Sequence, residues 1–157
     1  MNIRKKAIVT GASRGIGNGI ALTLAKEGYD VAFNYSSHDE KAQALVKQVK
    51  TSYGVNCYAF KSRFQEKGAV EMFVKQAIDA LDGVDLLVNN AAYAVQGGEL
   101  IDIDDSTMDL MFAVNLRSVV LISREVARYM VKNNVEGNII NISSVRAERA
   151  FPGAGLY

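Results

Sequence analysis

The stretch KAIVTGASRGIGNGIALTLAKEG, residues 6–28, joins a short apolar run to an amphipathic run through a glycine-rich turn. Residues 6–10 predict a buried strand, because the run is short, apolar and followed directly by glycine. Residues 16–28 predict a helix that ends at Gly28 as its C-terminal cap. The stretch therefore predicts a strand–turn–helix unit, which is the building block of an alternating α/β fold.

The same alternation continues along the 157 residues of the chain. Further strands are predicted at 30–35, 55–60, 84–92 and 137–144, and further helices at 38–54, 67–83 and near 107–132. These strands are continuous apolar runs, which is typical of a parallel sheet covered on both faces. With right-handed crossovers they form a doubly wound parallel sheet of the α/β class. We expect a single domain over 1–157.

The composition argues against several classes of function. The 18 Lys and Arg residues nearly balance the 17 Asp and Glu residues, and the net charge of +1 gives no support for a nucleic-acid or membrane partner. No apolar run approaches the ~18 residues that a membrane span needs. The single Cys57 permits no intrachain disulfide, which fits a cytoplasmic protein. The single His38, in a polar run, argues against a metal site or a Ser–His triad.

The turn TGASRGIG, residues 10–17, favours a nucleotide phosphate as its ligand. Glycines allow a tight turn and a close approach to the backbone, and the helix that follows offers free N–H groups. The pattern is GxxxGxG rather than GxGxxG, and it lacks the lysine of a P-loop. Glycine turns also end strands for steric reasons alone. Arg14 is accordingly either a cation beside a cofactor phosphate or a solvated loop charge.

The end of the second predicted strand indicates which dinucleotide binds. NAD-binding proteins place Asp or Glu there, about 20 residues after the glycines, to hold the ribose hydroxyls. This sequence has Asn34, Tyr35, Ser36 and Ser37 instead. No acid is present to repel a 2′-phosphate, and small hydrogen-bond donors are available to bind one. The sequence therefore predicts NADP(H) in preference to NAD(H).

Four motifs in order resemble the short-chain dehydrogenase/reductase family over the whole chain. They are TGASRGIG at 10–17, NNAA at 89–92, VNL at 114–116, and NIINISS at 138–144 followed by Tyr157. Within the family, the chain is most similar to the 3-oxoacyl-carrier-protein reductase and glucose-dehydrogenase-like branch. The resemblance implies a Rossmann-like, NAD(P)-binding domain and an oxidoreductase that interconverts a carbonyl and an alcohol by hydride transfer.

The resemblance also implies a catalytic set. Asn115 matches the catalytic-helix asparagine, which would help to hold a water, and Ser144 matches the catalytic serine. Tyr157, thirteen positions after Ser144, matches the tyrosine that acts as acid and base. A phenol can donate a proton to the carbonyl oxygen while a serine hydrogen-bonds the same oxygen. Taken alone, Asn115 fits a mid-helix amide satisfied by its own turn, and Ser144 fits a turn cap.

The expected cofactor-binding residues come from three segments at the ends of the predicted strands. They are Gly11, Ser13, Arg14, Gly15, Ile16, Gly17, Asn34, Tyr35, Ser36, Asn90 and Ala91. No metal ligand is expected. The family usually has an aspartate that recognises adenine where this chain has Arg63, which puts adenine recognition by a side chain in doubt.

The family places a lysine four residues after the catalytic tyrosine, and this sequence stops at Tyr157. We therefore expect the sequence to be part of a longer protein, and the fragment alone to be inactive. The alternative is a catalytically inactive, truncated nucleotide-binding module. The resemblance implies a small carbonyl or alcohol substrate, or an acyl thioester.

The resemblance further implies a homodimer or homotetramer built on the helix near 107–132. Four apolar residues of that helix would serve an interface or the core equally well: Met108, Met111, Phe112 and Val119.

Overall fold

The computed structural model describes residues 4–94, 99–149 and 152–153. Five strands lie in these ranges: β1 (Lys6–Val9), β2 (Asp30–Tyr35), β3 (Cys57–Lys61), β4 (Leu86–Asn89) and β5 (Asn138–Asn141). The α-helices there are α1 (Gly15–Lys26), α2 (Asp39–Tyr53), α3 (Ala69–Leu81), α4 (Asp105–Phe112) and α5 (Ser118–Lys132). Short 3₁₀ turns lie at Leu100–Asp102 and Val145–Ala147.

The strands form one parallel sheet in the order β3-β2-β1-β4-β5. In the centre of the sheet, Val9 of β1 pairs with Phe33 of β2 on one side and with Val88 of β4 on the other. The chain fills one side of β1 first and then crosses to the other side. Ligands bind at such a reversal of strand order, outside the carboxyl ends of the strands. The prediction of a doubly wound parallel sheet is confirmed.

The two faces of the central strands are covered by different helices. Ile8 and Leu87 face a cluster that includes Val74 of α3 and Ile122 of α5. The opposite face belongs to a second cluster that includes Phe33, Ala21 of α1 and Leu45 of α2. Ile8, Phe33 and Leu87 are all 0% exposed. This agrees with the sequence, whose continuous apolar runs predict strands that are covered on both faces.

The helix boundaries follow local capping chemistry. α1 ends at Lys26, and Gly28 lies just beyond it with φ +86°, a left-handed conformation that favours glycine. The Tyr29 N–H closes this end by donating to the Leu24 carbonyl at 3.0 Å. At the start of α4, the side chain of Asp104 forms the cap by accepting the Thr107 N–H at 2.7 Å. These caps explain why the predicted boundaries were close to the observed ones.

The helix predicted near 107–132 is continuous but not uniform. α4 passes into a π-helical segment, Ala113–Arg117, and this segment passes into α5. π-Helical turns insert an extra residue into a helix and are frequent at functional sites. The segment contains Asn115, so the irregular turn coincides with a predicted catalytic residue.

The β5 side of the sheet is much more exposed than its centre. Ile139 and Ile140 of β5 are 36% and 46% exposed, and within the described ranges β5 hydrogen-bonds to β4 alone. On the neighbouring helix, Met111 is buried in the core, whereas Phe112 is 51% exposed. Of the four apolar residues named for this helix, Met111 therefore belongs to the core, whereas Met108 and Phe112 are exposed and Val119 is partly exposed. Over the same ranges, none of the helices has both the length and the apolar character for crossing a bilayer.

Candidate cofactor and active site

A cleft of about 550 Å³ opens at the carboxyl ends of β1, β2 and β4. It lies at the reversal of strand order, as expected for this topology. All of the cofactor-binding residues predicted from the sequence line it: Gly11, Ser13, Arg14, Gly15, Ile16, Gly17, Asn34, Tyr35, Ser36, Asn90 and Ala91. The structure thus brings three separate segments of the chain to one cleft.

Two glycines of the turn are required by close packing. A Cβ on Gly17 would lie 2.4 Å from both the Asn90 Nδ2 and the Gly11 carbonyl oxygen. A Cβ on Gly11, where φ is +69°, would lie 2.9 Å from the Ala91 Cα. Both distances are too short for non-bonded atoms, so the turn packs against the segment after β4 with no room for a side chain. Gly19, two residues later in α1, has nothing within 4 Å of its Cβ position.

Thr10 and Asn90 hold this packed turn together. The Thr10 Oγ1 accepts the backbone N–H groups of Asn90 and Ala91, both at 2.9 Å. In return, the Asn90 Nδ2 donates to the carbonyl oxygens of Thr10 and Gly11, at 2.9 and 3.2 Å. These four bonds fix the segment after β4 against the glycine turn. Sequence reasoning missed Thr10, although its position between the first predicted strand and the first glycine of the turn was the available signal.

Asn34 performs the same task from β2. Its Oδ1 accepts the Gly11 N–H at 2.8 Å, and its Nδ2 donates to the Ser62 carbonyl at 3.2 Å. Its side chain is 3% exposed and is therefore engaged in supporting the turn. Ser36 and Ser37, which follow at the cleft lining, are exposed. These serines and His38, whose Nδ1 lies 2.8 Å from the Ser37 Oγ, are the exposed polar residues that follow β2 at the cleft lining.

The electrostatics of the cleft favour an anion. Its lining contains Arg14 and Arg63, and the lining residues that the structure describes include no carboxylate. α1 begins at this cleft with no acidic residue in its first turn and with no side chain capping its N–H groups. A helix N-terminus carries a partial positive charge that favours negative groups. The donor set and the glycine cradle therefore fit a dinucleotide phosphate.

An ion-pair network lies beside this lining. The Tyr35 hydroxyl donates to the Asp39 Oδ1 at 3.0 Å, and the Lys61 Nζ donates to the Asp39 Oδ2 at 2.7 Å. The hydrogen bond from Lys61 lowers the pKa of Asp39, with a further contribution from Tyr35. Burial, and then the hydrogen bond to Asp39, raises the pKa of Tyr35. Asp39 is therefore ionised and Tyr35 is a neutral donor at physiological pH.

A second cavity, of about 380 Å³, lies on the β5 side of the same edge. It is lined by Asn115 of the π-helical segment and by Ser144, which follows β5. Ala91 and Ala92 line both cavities, so the two are neighbours. The structure therefore brings Asn115 and Ser144 into one cavity adjoining the cofactor cleft. Tyr157 lies outside the described residues.

The Asn115 amide is bonded at both ends to one backbone residue. The Tyr93 N–H donates to its Oδ1 at 2.7 Å, and its Nδ2 donates to the Tyr93 carbonyl at 2.8 Å. This pair of bonds ties the connection after β4 to the π-helical segment, and Tyr93 itself lines the cofactor cleft. The reading of Asn115 as an amide satisfied by its own helical turn is wrong, because its partner is 22 positions away in the chain.

Ser144 lies at the start of the 3₁₀ turn that follows β5. Its Oγ accepts the Arg146 N–H at 3.2 Å, so it caps this turn. A serine hydroxyl can accept one hydrogen bond and still donate its own proton. The capping role and a role toward a ligand in the cavity are therefore compatible.

Asn89 joins the sheet beneath this second cavity. Its Nδ2 donates to the Ser123 Oγ of α5 at 3.0 Å and to the Asn141 Oδ1 of β5 at 2.8 Å. Its own Oδ1 is buried and has no hydrogen-bond partner within the described ranges.

The described ranges contain no cluster of His, Cys, Asp and Glu that could hold a metal ion.

Comparison with known proteins accounts for this combination of glycine turn, asparagine clamp and serine-bearing cavity. The family model for short chain dehydrogenase matches residues 5–157. The chain belongs to the short-chain dehydrogenase family. It is 36% identical over 157 residues to the 3-oxoacyl-[acyl-carrier-protein] reductase FabG of Staphylococcus aureus, covering 100% of this chain and 63% of that protein. It is 39% identical over 142 residues to a glucose 1-dehydrogenase of Gluconobacter oxydans, covering 90% of this chain and 52% of that protein.

Solved structures of short-chain dehydrogenases have the same architecture. A short-chain dehydrogenase from Burkholderia cenocepacia, determined in complex with NADP, superimposes with a TM-score of 0.88 at 34% identity. The match covers 98% of this chain and 61% of that one. The resemblance to the reductase and glucose-dehydrogenase branch is confirmed. The chain spans less than two thirds of the length of each of these relatives.

Proposed function

We propose that this short-chain dehydrogenase is an NADP(H)-dependent oxidoreductase that interconverts a carbonyl and an alcohol. The observation that carries the proposal is the composition of the cleft. A turn with no room for a side chain at Gly11 or Gly17 meets an uncapped helix N-terminus, two arginines and two exposed serines, and the described residues of the lining include no carboxylate. The NADP complex of the Burkholderia cenocepacia relative supports the choice of cofactor.

The residues of the cleft have separate roles in this proposal. The N–H groups at the start of α1 bind the pyrophosphate, because free helix N–H groups point at that position. Arg14, Ser36 and Ser37 bind the 2′-phosphate through charge and hydroxyl donors. Asn34, Asn90 and Thr10 hold the turn in shape. Arg63, at the cleft lining, stacks on the adenine or binds a phosphate.

The second cavity is the proposed site of the reaction. When bound, the cofactor supplies or accepts the hydride. Ser144 donates a hydrogen bond to the substrate oxygen, which stabilises the charge that develops there. Tyr157 exchanges a proton with the same oxygen as general acid and base. Asn115 acts as a positioning residue through Tyr93, and its water-holding role remains a prediction.

The proposal also covers the substrate, the oligomeric state and the cellular location. The substrate is a small carbonyl compound, its alcohol, or an acyl thioester, as the name of the Staphylococcus aureus relative suggests. The protein acts in the cytoplasm as a homodimer or homotetramer. Residues 1–157 form a single dinucleotide-binding domain. The exposed Phe112 belongs to the helix that would form the subunit contact.

The test is oxidation of NADPH by the full-length protein against ketones, aldoses and 3-oxoacyl thioesters. We expect turnover with at least one class, and we expect Ser144→Ala to lower kcat by about 100-fold. The Kd for NADPH should stay within about twofold in this variant, because Ser144 lies in the second cavity. Tight NADPH binding without turnover of any class would instead identify an inactive nucleotide-binding module.

A further inference from the structure

The start of α2 holds an acidic residue close to the cofactor cleft. The cleft lining follows the chain from Asn34 to His38, and Asp39 is the next residue. An acid at this end of β2 is the residue type that binds ribose hydroxyls in NAD-binding proteins and disfavours a 2′-phosphate. Asp39 lies beyond the end of β2 and outside the lining, so it adds a negative charge beside a cleft whose other features favour NADP.

Both oxygens of that carboxylate are already engaged. The Oδ1 accepts from the buried Tyr35 hydroxyl at 3.0 Å, and the Oδ2 accepts from the Lys61 Nζ at 2.7 Å. The sheet register brings these partners together, because Tyr35 of β2 pairs directly with Lys61 of β3. A residue from each of two neighbouring strands thereby fixes the first residue of α2.

The geometry points to Lys61 as a determinant of cofactor preference, in an inference that rests on the proposed function. We propose that Lys61 neutralises Asp39 and holds it on Tyr35, so that the carboxylate neither repels a 2′-phosphate nor reaches the ribose hydroxyls. Lys61 is a positioning residue in this account. It changes the relative affinity for NADP and NAD through the charge of another side chain.

The solvent exposure of Lys61 and Asp39 allows an effect on cofactor preference to be distinguished from an effect on the stability of the fold. The side chains of Lys61 and Asp39 are 51% and 58% exposed. Ion pairs this open to solvent add little to stability, typically 0–1 kcal/mol. Removing Lys61 should therefore leave the fold in place while it exposes one negative charge beside the cleft. Glu40 also lies in the first turn of α2 and is present in every variant below, so its charge cancels from the comparison.

The experiment measures the Kd values of NADP⁺ and NAD⁺ for the purified full-length protein and for Lys61→Met. We expect the preference for NADP⁺ over NAD⁺ to fall about fivefold, from the repulsion between a carboxylate and a phosphate dianion across solvent. Lys61→Arg should keep the original preference. Adding Asp39→Asn to Lys61→Met should restore it, because the charge that Lys61 compensates is then absent.

The matched control is Lys75→Met. Lys75 pairs with Asp79 on α3, and neither residue lines the cleft, so this variant should leave both Kd values unchanged. An unchanged preference in Lys61→Met would overturn the inference while leaving the proposed function intact. An equal loss of both cofactors that Asp39→Asn does not reverse would also overturn it, in favour of a structural role. If the wild-type protein bound neither cofactor, the proposed function and this inference would both fail.

Discussion

The cofactor cleft and the second cavity, which lie on the two sides of the sheet, differ in how tightly the described residues around them are packed. At the cofactor cleft, the glycine turn is fixed by buried Thr10 and Asn34 and by the partly exposed Asn90, and the strands beneath it are covered on both faces. At the second cavity, Phe112 and Ile142 are 51% and 43% exposed. The proposed phosphate site is therefore packed tightly by residues that the structure describes. The proposed reaction site is more open, and its proposed acid and base, Tyr157, lies outside the described residues.

The largest effect is expected from filling the packed turn. Gly17→Ala would place a methyl group 2.4 Å from the Asn90 Nδ2 and the Gly11 carbonyl oxygen. The turn must then move, at a cost of about 3 kcal/mol in the free energy of unfolding and about 100-fold in NADP⁺ affinity. Chemical denaturation and a binding titration measure the two losses.

The control for this variant lies one half-turn away in the same helix. Gly19→Ala adds the same methyl group where nothing lies within 4 Å. It should stabilise the protein by about 0.5–1 kcal/mol, because alanine is the better helix former. It should leave NADP⁺ affinity unchanged. Equal losses in both variants would show that the turn is not specifically packed.

Matched truncations in two strands test the contrast in burial directly. Ile8→Ala in β1 removes a side chain that is 0% exposed, and it should cost about 3 kcal/mol. Ile140→Ala in β5 removes one that is 46% exposed, and it should cost about 1 kcal/mol or less. Urea denaturation of both variants gives the comparison. Similar losses at the two positions would mean that β5 is as well covered as β1.

Thr10 tests whether hydrogen bonds, as well as shape, hold the turn. Thr10→Val keeps the volume but leaves two backbone N–H groups, those of Asn90 and Ala91, without their acceptor. We expect a loss of about 2 kcal/mol in stability and weaker NADP⁺ binding. Thr10→Ser retains the hydroxyl and should recover most of both. If valine were tolerated as well as serine, the hydroxyl would have no structural role.

The smallest effect concerns Cys57, which lies in the buried part of β3. Burial raises the pKa of its thiol to about 12. The unfolded chain ionises this thiol near its ordinary pKa, so above about pH 9 the unfolded state binds fewer protons than the folded state. Stability should then fall by about 1 kcal/mol between pH 8 and pH 10 from this group. Cys57→Ala should lack this component, and identical pH profiles for the two proteins would contradict it.

Much of the fold could be predicted because its signals are local. The run DVAFNY has an apolar centre, Val31–Phe33, and is followed by polar residues, and β2 was found at the predicted residues 30–35. The glycine turn is likewise visible in eight consecutive letters. The π-helical segment was missed because its sequence, AVNLR, has no composition that separates it from an α-helix. Its position becomes apparent only from the backbone of the folded helix.

The site was predicted as a set of residues better than as a set of roles. Asn34 and Tyr35 were expected to face the cofactor, and they do line the cleft. Their polar atoms, however, form hydrogen bonds within the protein, Asn34 with Gly11 and Tyr35 with Asp39. No sequence motif indicates either pair. The network of Tyr35, Asp39 and Lys61 depends on the register between β2 and β3. Register and long-range hydrogen bonds are tertiary properties, so motif spacing alone does not contain them.

The most direct test of the difference between the two sides is amide hydrogen exchange with 2′,5′-ADP, which carries the adenosine and 2′-phosphate part of NADP. The account predicts slower exchange in residues 10–18 and 34–38, which surround the cofactor cleft. It predicts no change in residues 138–144, which border the second cavity. Protection of 138–144 without protection of the glycine turn would contradict the assignment of the phosphate site.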